Sequence, residues 1–196
     1  MSNFCLNCIK TKKTCCSADY VKFTTLRDAE RIAKFLKTDI RNVVVYGQLC
    51  EEDKLTELYI KKIHNYYYDL AAADGGKILQ LRRRKDGSCP FFLSREGRCK
   101  IYKVRPLSCR VFPFWYSDAG KTVIITDHNG LDCDLLNGKC TIHNRKIKSE
   151  HRERIFAEFS CTALQLERLL AKLRKEIGEY KKNIGDFVRT NKVRIC

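Results

Sequence analysis

The sequence predicts an α+β fold that is predominantly helical, with a small cysteine-rich centre, a short β-hairpin and a long C-terminal amphipathic helix. Three observations carry this. Phe159, Ala163, Leu166, Leu170, Leu173, Ile177, Tyr180, Ile184 and Phe187 recur at alternating steps of four and three, the seam of a long amphipathic helix. Helical spacing also runs through residues 21–37 and 51–73. Between these stretches, short β-branched or alternating runs are bounded by Asp86-Gly87 and Glu96-Gly97 turns and punctuated by cysteines.

The chain of 196 residues suits one domain of ordinary size with an appended helical element. The expected division is a cysteine-rich domain over 1–148 and a helical extension over 149–196. No apolar run approaches the roughly 20 residues that span a bilayer. The opening MSNFCLNCIKTKK lacks the apolar stretch of a signal peptide, so a cytoplasmic location is expected. In that compartment thiols stay reduced, and twelve cysteines point to metal binding or redox chemistry before structural disulfides.

Taken in order, residues 1–17 read as a ligand loop, Cys5-x2-Cys8-x6-Cys15-Cys16. A two-residue spacer lets a turn bring two sulfurs together. Adjacent cysteines diverge, so Cys15-Cys16 suits a polynuclear site or two nearby sites better than one tetrahedral zinc. Over 21–37, Thr25 and Asp28 have capping-box spacing, and Ala29, Ile32, Ala33, Phe35 and Leu36 form an apolar face. Thr38 or Asp39 can cap a second short helix through Val43, and the run 43–46 fits helix or strand equally by periodicity. The helix over 51–73 carries His64 and the tyrosines 66–68, read as packing residues, and Gly75-Gly76 stops it. Residues 78–81 alternate as a short strand.

The central block is Cys89-x9-Cys99-x9-Cys109. Residues 91–93 and 100–102 are expected to pair as a hairpin with Cys89 and Cys99 flanking its strands. Pro90 stiffens the chain leaving Cys89, and Arg105 and Arg110 bracket Cys109, where guanidinium groups can stabilise thiolate or sulfide charge. Aromatic residues 112–116 form a shell or ordinary core. Residues 121–126 read as a strand, and Cys133 and Cys140 fall in Gly-, Asn- and Asp-rich loop sequence, with His128 and His143 as reserve ligands. Cys50, Cys161 and Cys196 have no chelating neighbour in sequence and read as plain thiols.

These residues resemble the CxxCxxCC or YkgJ-type family of zinc- or iron-chelating domains. The resemblance rests on Cys5, Cys8, Cys15 and Cys16, on Cys89-Pro90-Phe91, on Cys99-Lys100-Ile101-Tyr102 and Arg105-Pro106, and on Cys109-Arg110 with Phe112-Pro113-Phe114. It covers roughly residues 1–140. It implies eight metal ligands: Cys5, Cys8, Cys15, Cys16, Cys89, Cys99, Cys109 and, most naturally, Cys133. One departure is the six-residue spacer at 9–14, where the family usually has two. A related domain in flagellin lysine-N-methylases implies iron–sulfur binding; with no Gly-rich nucleotide loop here, methylation is not carried across.

The expected cofactor is one or two 4Fe–4S clusters, with zinc as the alternative, and the expected role is electron transfer or maturation or modification of a partner protein. The alternative is a zinc-stabilised interaction module. A net charge of +16, with basic clusters at 10–13, 82–85 and 145–148, favours acidic partners or RNA, though a solvated basic face explains the same excess. The C-terminal helix offers a partner surface, with packing on its own chain the simpler use of its seam. No Ser–His–Asp set, Walker loop or paired carboxylates stand in a recognisable context, and Glu96, Asp127 and Asp132 read as turn residues.

Overall fold

The computed structural model of the chain describes residue 16 and residues 22–48, 76–112, 114–116, 122–124, 133–134, 139–140, 145–146, 148–158 and 162–195. Within them the fold is α+β. Helices α1 (Leu26–Leu36), α2 (Leu107–Val111), α3 (Ser149–Glu158) and α4 (Ala163–Thr190) alternate with short antiparallel strands. The helix expected over 51–73 lies outside the described residues, as do Gly75 and the reserve histidines.

Helix α1 begins at Leu26 rather than at residue 21. Thr25 is extended (φ −72°, ψ 165°) and its hydroxyl accepts the Asp28 N–H, the bond an N-cap threonine makes to an otherwise orphaned donor. The residues before it are claimed by a strand, β2 (Lys77–Leu81). Thr24 N–H donates to Leu79 C=O and Leu81 N–H to Lys22 C=O, each at 3.0 Å, so ladder bonding overrides the helical spacing. Ala29, Ile32 and Ala33 are buried as the apolar face predicts, whereas Phe35 is 48% exposed. Lys37 ends the helix in the left-handed region (φ 50°).

Asp39 then caps a 3₁₀ turn, Ile40–Asn42, by accepting the Arg41 N–H at 2.8 Å. The ambiguous run that follows is a strand, β1 (Val44–Gln48), paired antiparallel with β2 from Val44↔Leu81 to Gln48↔Lys77. Its outer edge is closed by the tail of the chain: Tyr46 N–H donates to Arg194 C=O at 2.9 Å, and Tyr46 bridges Ile195 in parallel sense. With residues 22–24 along β2, both edges of the ribbon are partly covered.

The C-terminal pattern resolves into two helices. Thr162 restarts the chain with a complete capping box, its hydroxyl accepting the Gln165 N–H and Gln165 Oε1 accepting the Thr162 N–H. Along α4 the seam residues Leu166, Leu170, Leu173, Ile177, Tyr180, Ile184 and Phe187 are all buried, against α1 and α2 of the same chain. Each fully buried leucine contributes roughly 1.5–3 kcal/mol. Tyr180 also serves as a polar anchor. Its hydroxyl accepts the Leu79 N–H at 2.9 Å, and its ring meets Phe23 edge-on at 5.3 Å. One continuous set of buried side chains links α1, the β1–β2 ribbon, α2 and α4.

Further strands are short. β3 (Phe92–Leu93) pairs with β4 (Arg98–Cys99), and β5 (Phe114–Tyr116) with β6 (Thr122–Ile124). β7 (Cys133–Asp134), β8 (Lys139–Cys140) and β9 (Arg145–Lys146) form a three-stranded sheet. The loop expected around Cys133 and Cys140 is therefore partly strand, with the two cysteines opposite each other in register. No helix among the described residues is long and apolar enough to cross a membrane.

Candidate metal centre

The cysteines are positioned by three short devices. The first is the turn after β2. Gly87 (φ 75°) closes it with its N–H on Arg84 C=O, while Ser88 donates both its N–H and its hydroxyl to Asp86 Oδ1, at 3.0 and 2.6 Å. These bonds hold the Asp86 carboxyl below its ordinary range. Arg84 then reaches over the turn, donating to Ser88 Oγ, Pro90 C=O and Phe92 C=O at 3.3, 3.0 and 3.0 Å. Cys89, thus fixed, donates its N–H to Cys16 C=O at 2.8 Å, which joins Cys16 to the central block.

The second device is the β3–β4 hairpin. It forms as expected but one step earlier along its second strand: Cys99 sits in β4 opposite Phe92 rather than flanking it, and residues 102–104 are a 3₁₀ turn. Gly97 (φ 58°) makes the reversal, and Lys100 N–H donates to Phe91 C=O at 2.8 Å. Ile101 is 1% exposed and anchors the return.

The third device is α2, which the Arg105-Pro106 break concealed. Pro106 supplies an N-terminus, and Asp28 Oδ2 of α1 accepts the Leu107 N–H at 2.9 Å. Ser108 Oγ donates to Phe23 C=O at 2.6 Å, and Leu107 and Val111 are buried. Cys109 thus sits on a helical turn bolted to α1.

The four described cysteine side chains, Cys16, Cys89, Cys99 and Cys109, are reduced thiols from separate segments, and they sense one another. Burial is the main force raising the Cys89 thiol, and proximity of Cys16 adds to it. Burial pushes Cys99 up to about 11 and Cys109 up to about 12, with Cys16 and Cys89 raising both further. Cations work against this: Lys22 and Arg84 at Cys89, Arg105 at Cys99, Arg105 and Lys22 at Cys109. Arg105 also lies over the Tyr102 ring at 4.3 Å. Arg110 is half-buried and its charge is felt by Arg31, Arg105, Asp28 and Glu176.

Among the described residues no three His, Cys, Asp or Glu side chains are drawn together as a ready metal cage. The donor chemistry nonetheless fits a metal centre. Four thiols are the complement of a structural zinc site or a 4Fe–4S cluster, and burial favours the neutral thiol at Cys89, Cys99 and Cys109. Cys5, Cys8 and Cys15 lie outside the described residues, together with Cys50, Cys161 and Cys196, and Cys133 is described only through its strand. Sequence reasoning missed Lys22 and Arg84. The run at 82–85 read as surface charge, and nothing local marks Lys22 as buried, since a neighbouring strand covers it.

Comparison with known proteins is consistent with this arrangement. A family model named CxxCxxCC and described as a "putative zinc- or iron-chelating domain" matches residues 4–129. Among curated proteins, the uncharacterized protein MJ0661 of Methanocaldococcus jannaschii is 28% identical over 114 residues, covering 58% of this chain. The alignment takes in 47% of that relative, so the chain spans about half the length of the curated relative it matches. No solved structure matches.

Proposed function

The chain belongs to the CxxCxxCC family, and from that premise we propose that it holds one or two 4Fe–4S clusters and serves in electron transfer or in the maturation or modification of a partner protein. Cys16, Cys89, Cys99 and Cys109 hold one cluster, and Cys5, Cys8, Cys15 and Cys133 supply the remaining ligands. The observation that supports this best is the Cys89 N–H bond to Cys16 C=O at 2.8 Å, which ties a cysteine near the start of the chain to the central block that carries Cys99 and Cys109.

An iron–sulfur cluster supplies one-electron redox chemistry at such a site. The protein's own contribution is to exclude water and balance charge. Phe91, Phe92 and Ile101 are buried around the cysteines, and Lys22, Arg84 and Arg105 offset thiolate charge. Arg105 and Arg110 are the cofactor-facing cations in this reading. The vicinal Cys15-Cys16 favours a polynuclear centre. Acidic docking partners suit the basic surface, and location in the cytoplasm suits the reduced thiols.

A second reading is favoured by one feature: Cys16 with Cys89, Cys99 and Cys109 makes a complete four-thiol set without Cys15. That is the ligand complement of structural zinc, and the protein would then be a zinc-stabilised module binding RNA or protein through its basic surface. Anaerobic purification followed by iron, zinc and acid-labile sulfide quantification separates the two. A brown protein with equimolar iron and sulfide that bleaches in Cys109→Ala is expected. A colourless protein with stoichiometric zinc refutes the cluster.

A further inference from the structure

Helix α4 lies wholly beyond the family segment, yet an unbroken run of polar contacts leads from it to the turn bearing Cys109. Glu176 of α4 is 3% exposed, and its Oε2 accepts the Thr25 hydroxyl at 2.5 Å. Thr25 is the cap of α1, accepting the Asp28 N–H at 3.1 Å. Asp28, fully buried, accepts the Leu107 N–H at 2.9 Å through Oδ2 and pairs with Arg31 through Oδ1. Arg31 donates in turn to Arg105 C=O at 3.3 Å. The chain leading into Cys109 is therefore held from α1 at Arg105 and at Leu107, and α1 is held from α4.

Apolar packing alone does not require this arrangement. Asp28 and Glu176 are buried together, and Glu176 adds to the cost of charging Asp28, an expensive arrangement unless these contacts serve something else. Among the described residues Glu176 Oε1 has no hydrogen-bond donor, and Lys172 Nζ lies 3.8 Å away. A leucine at 176 would pack on the same face. We propose that Glu176 and Asp28 are positioning residues of the metal centre: through Thr25 and Leu107 they fix the turn that presents Cys109, so that the C-terminal helix sets the geometry of a site lying outside it. This rests on the metal-centre reading above.

The test uses the full reduced chain under anaerobic conditions with Co2+ as probe, because thiolate ligation gives cobalt a distinct charge-transfer absorption. Amide exchange at Leu107 in the metal-free protein supplies a readout that needs no metal. Glu176→Leu is expected to weaken Co2+ binding 10–100-fold and to quicken Leu107 exchange, without loss of denaturant stability. Glu176→Gln, which keeps an acceptor for Thr25, is expected to restore most of the affinity. Glu167→Gln, exposed on the same helix, is expected to leave both readouts unchanged. Should Glu176→Leu fail to fold, Asp28→Asn answers the same question: it keeps an acceptor for Leu107 but removes the charge that orders Arg31, and about a tenfold loss is expected. Wild-type affinity with unaltered Leu107 exchange in these variants overturns the inference. If the unsubstituted chain binds no Co2+ while Leu107 exchange still quickens in Glu176→Leu, the metal reading is the one overturned and the positioning of the 105–109 turn stands.

Discussion

Replacing Tyr180 by Phe tests how strongly α4 is fastened to the β1–β2 ribbon. The ring is 2% exposed, packed edge-on against Phe23, and Phe keeps that contact, so no cavity opens. What disappears is the acceptor for the Leu79 N–H. Leu79 is itself 0% exposed, and its C=O is already committed to Thr24. An orphaned buried N–H costs about 1–3 kcal/mol, more than the net worth of an average hydrogen bond, because the group loses water without gaining a partner. With a urea dependence of about 2 kcal/mol per molar, a loss of about 2 kcal/mol lowers the unfolding midpoint by about 1 M. Urea titration followed by far-UV circular dichroism measures this, and the slope should not change. A loss under about 0.5 kcal/mol would refute the reasoning, since it would mean that the strand's N–H is satisfied without the helix.

Three further outcomes follow from the same geometry. Gly178 and Gly185 are exposed within α4, and a Cβ at either meets nothing within 4 Å; Gly178→Ala and Gly185→Ala should each raise stability by about 1 kcal/mol, and by about 2 together, in thermal or urea unfolding. Asp28 is held above its ordinary value of 3.8, chiefly by burial and also by Glu176, against the opposing Leu107 N–H, Arg31 and the Thr25 hydroxyl, while Arg110 from α2 also feels its charge. Its native form binds the proton more tightly than the unfolded chain does. Stability should therefore fall as pH rises from 3.8 through the raised value and level off above it, and Asp28→Asn should remove that slope in unfolding measured across acid pH. Asp39 behaves in the opposite sense: its bonds to Arg41 hold it at about 2, so what it contributes is present above 3.8 and lost on further acidification, and Asp39→Asn should flatten that acid limb.

Much of this architecture is legible in the sequence where the signal is local and periodic. The α4 seam, the Thr25 cap, the Asp86-Gly87 and Glu96-Gly97 turns and the strand at 78–81 all depend on residues close together in the chain. The misreadings have a common cause. Residues 22–24 carry helical spacing but are captured by Leu79 and Leu81, more than fifty positions away in sequence. α2 hides behind Arg105-Pro106 because its first N–H is satisfied by Asp28 rather than by a neighbouring cap. The cysteines stand out as ligand candidates through their spacing and the family resemblance. Lys22 and Arg84, which moderate their charge, do not, because burial of a lysine and the reach of an arginine are decided by tertiary packing. The same holds for Glu176, one step before a seam residue and indistinguishable there from a solvated helix position.

The closure of β1 by residues 194 and 195 has a consequence in time. During synthesis the ribbon's two strands and the cysteines of the central block emerge long before α4 does, and Tyr46 waits for a partner encoded about 150 positions later. Until Tyr180 has emerged, Leu79 lacks the hydroxyl that accepts its N–H, and until residues 194 and 195 follow, the edge of β1 lacks its bridge at Tyr46. The cysteines of the central block are therefore synthesised before the helix and the tail segment that complete the ribbon.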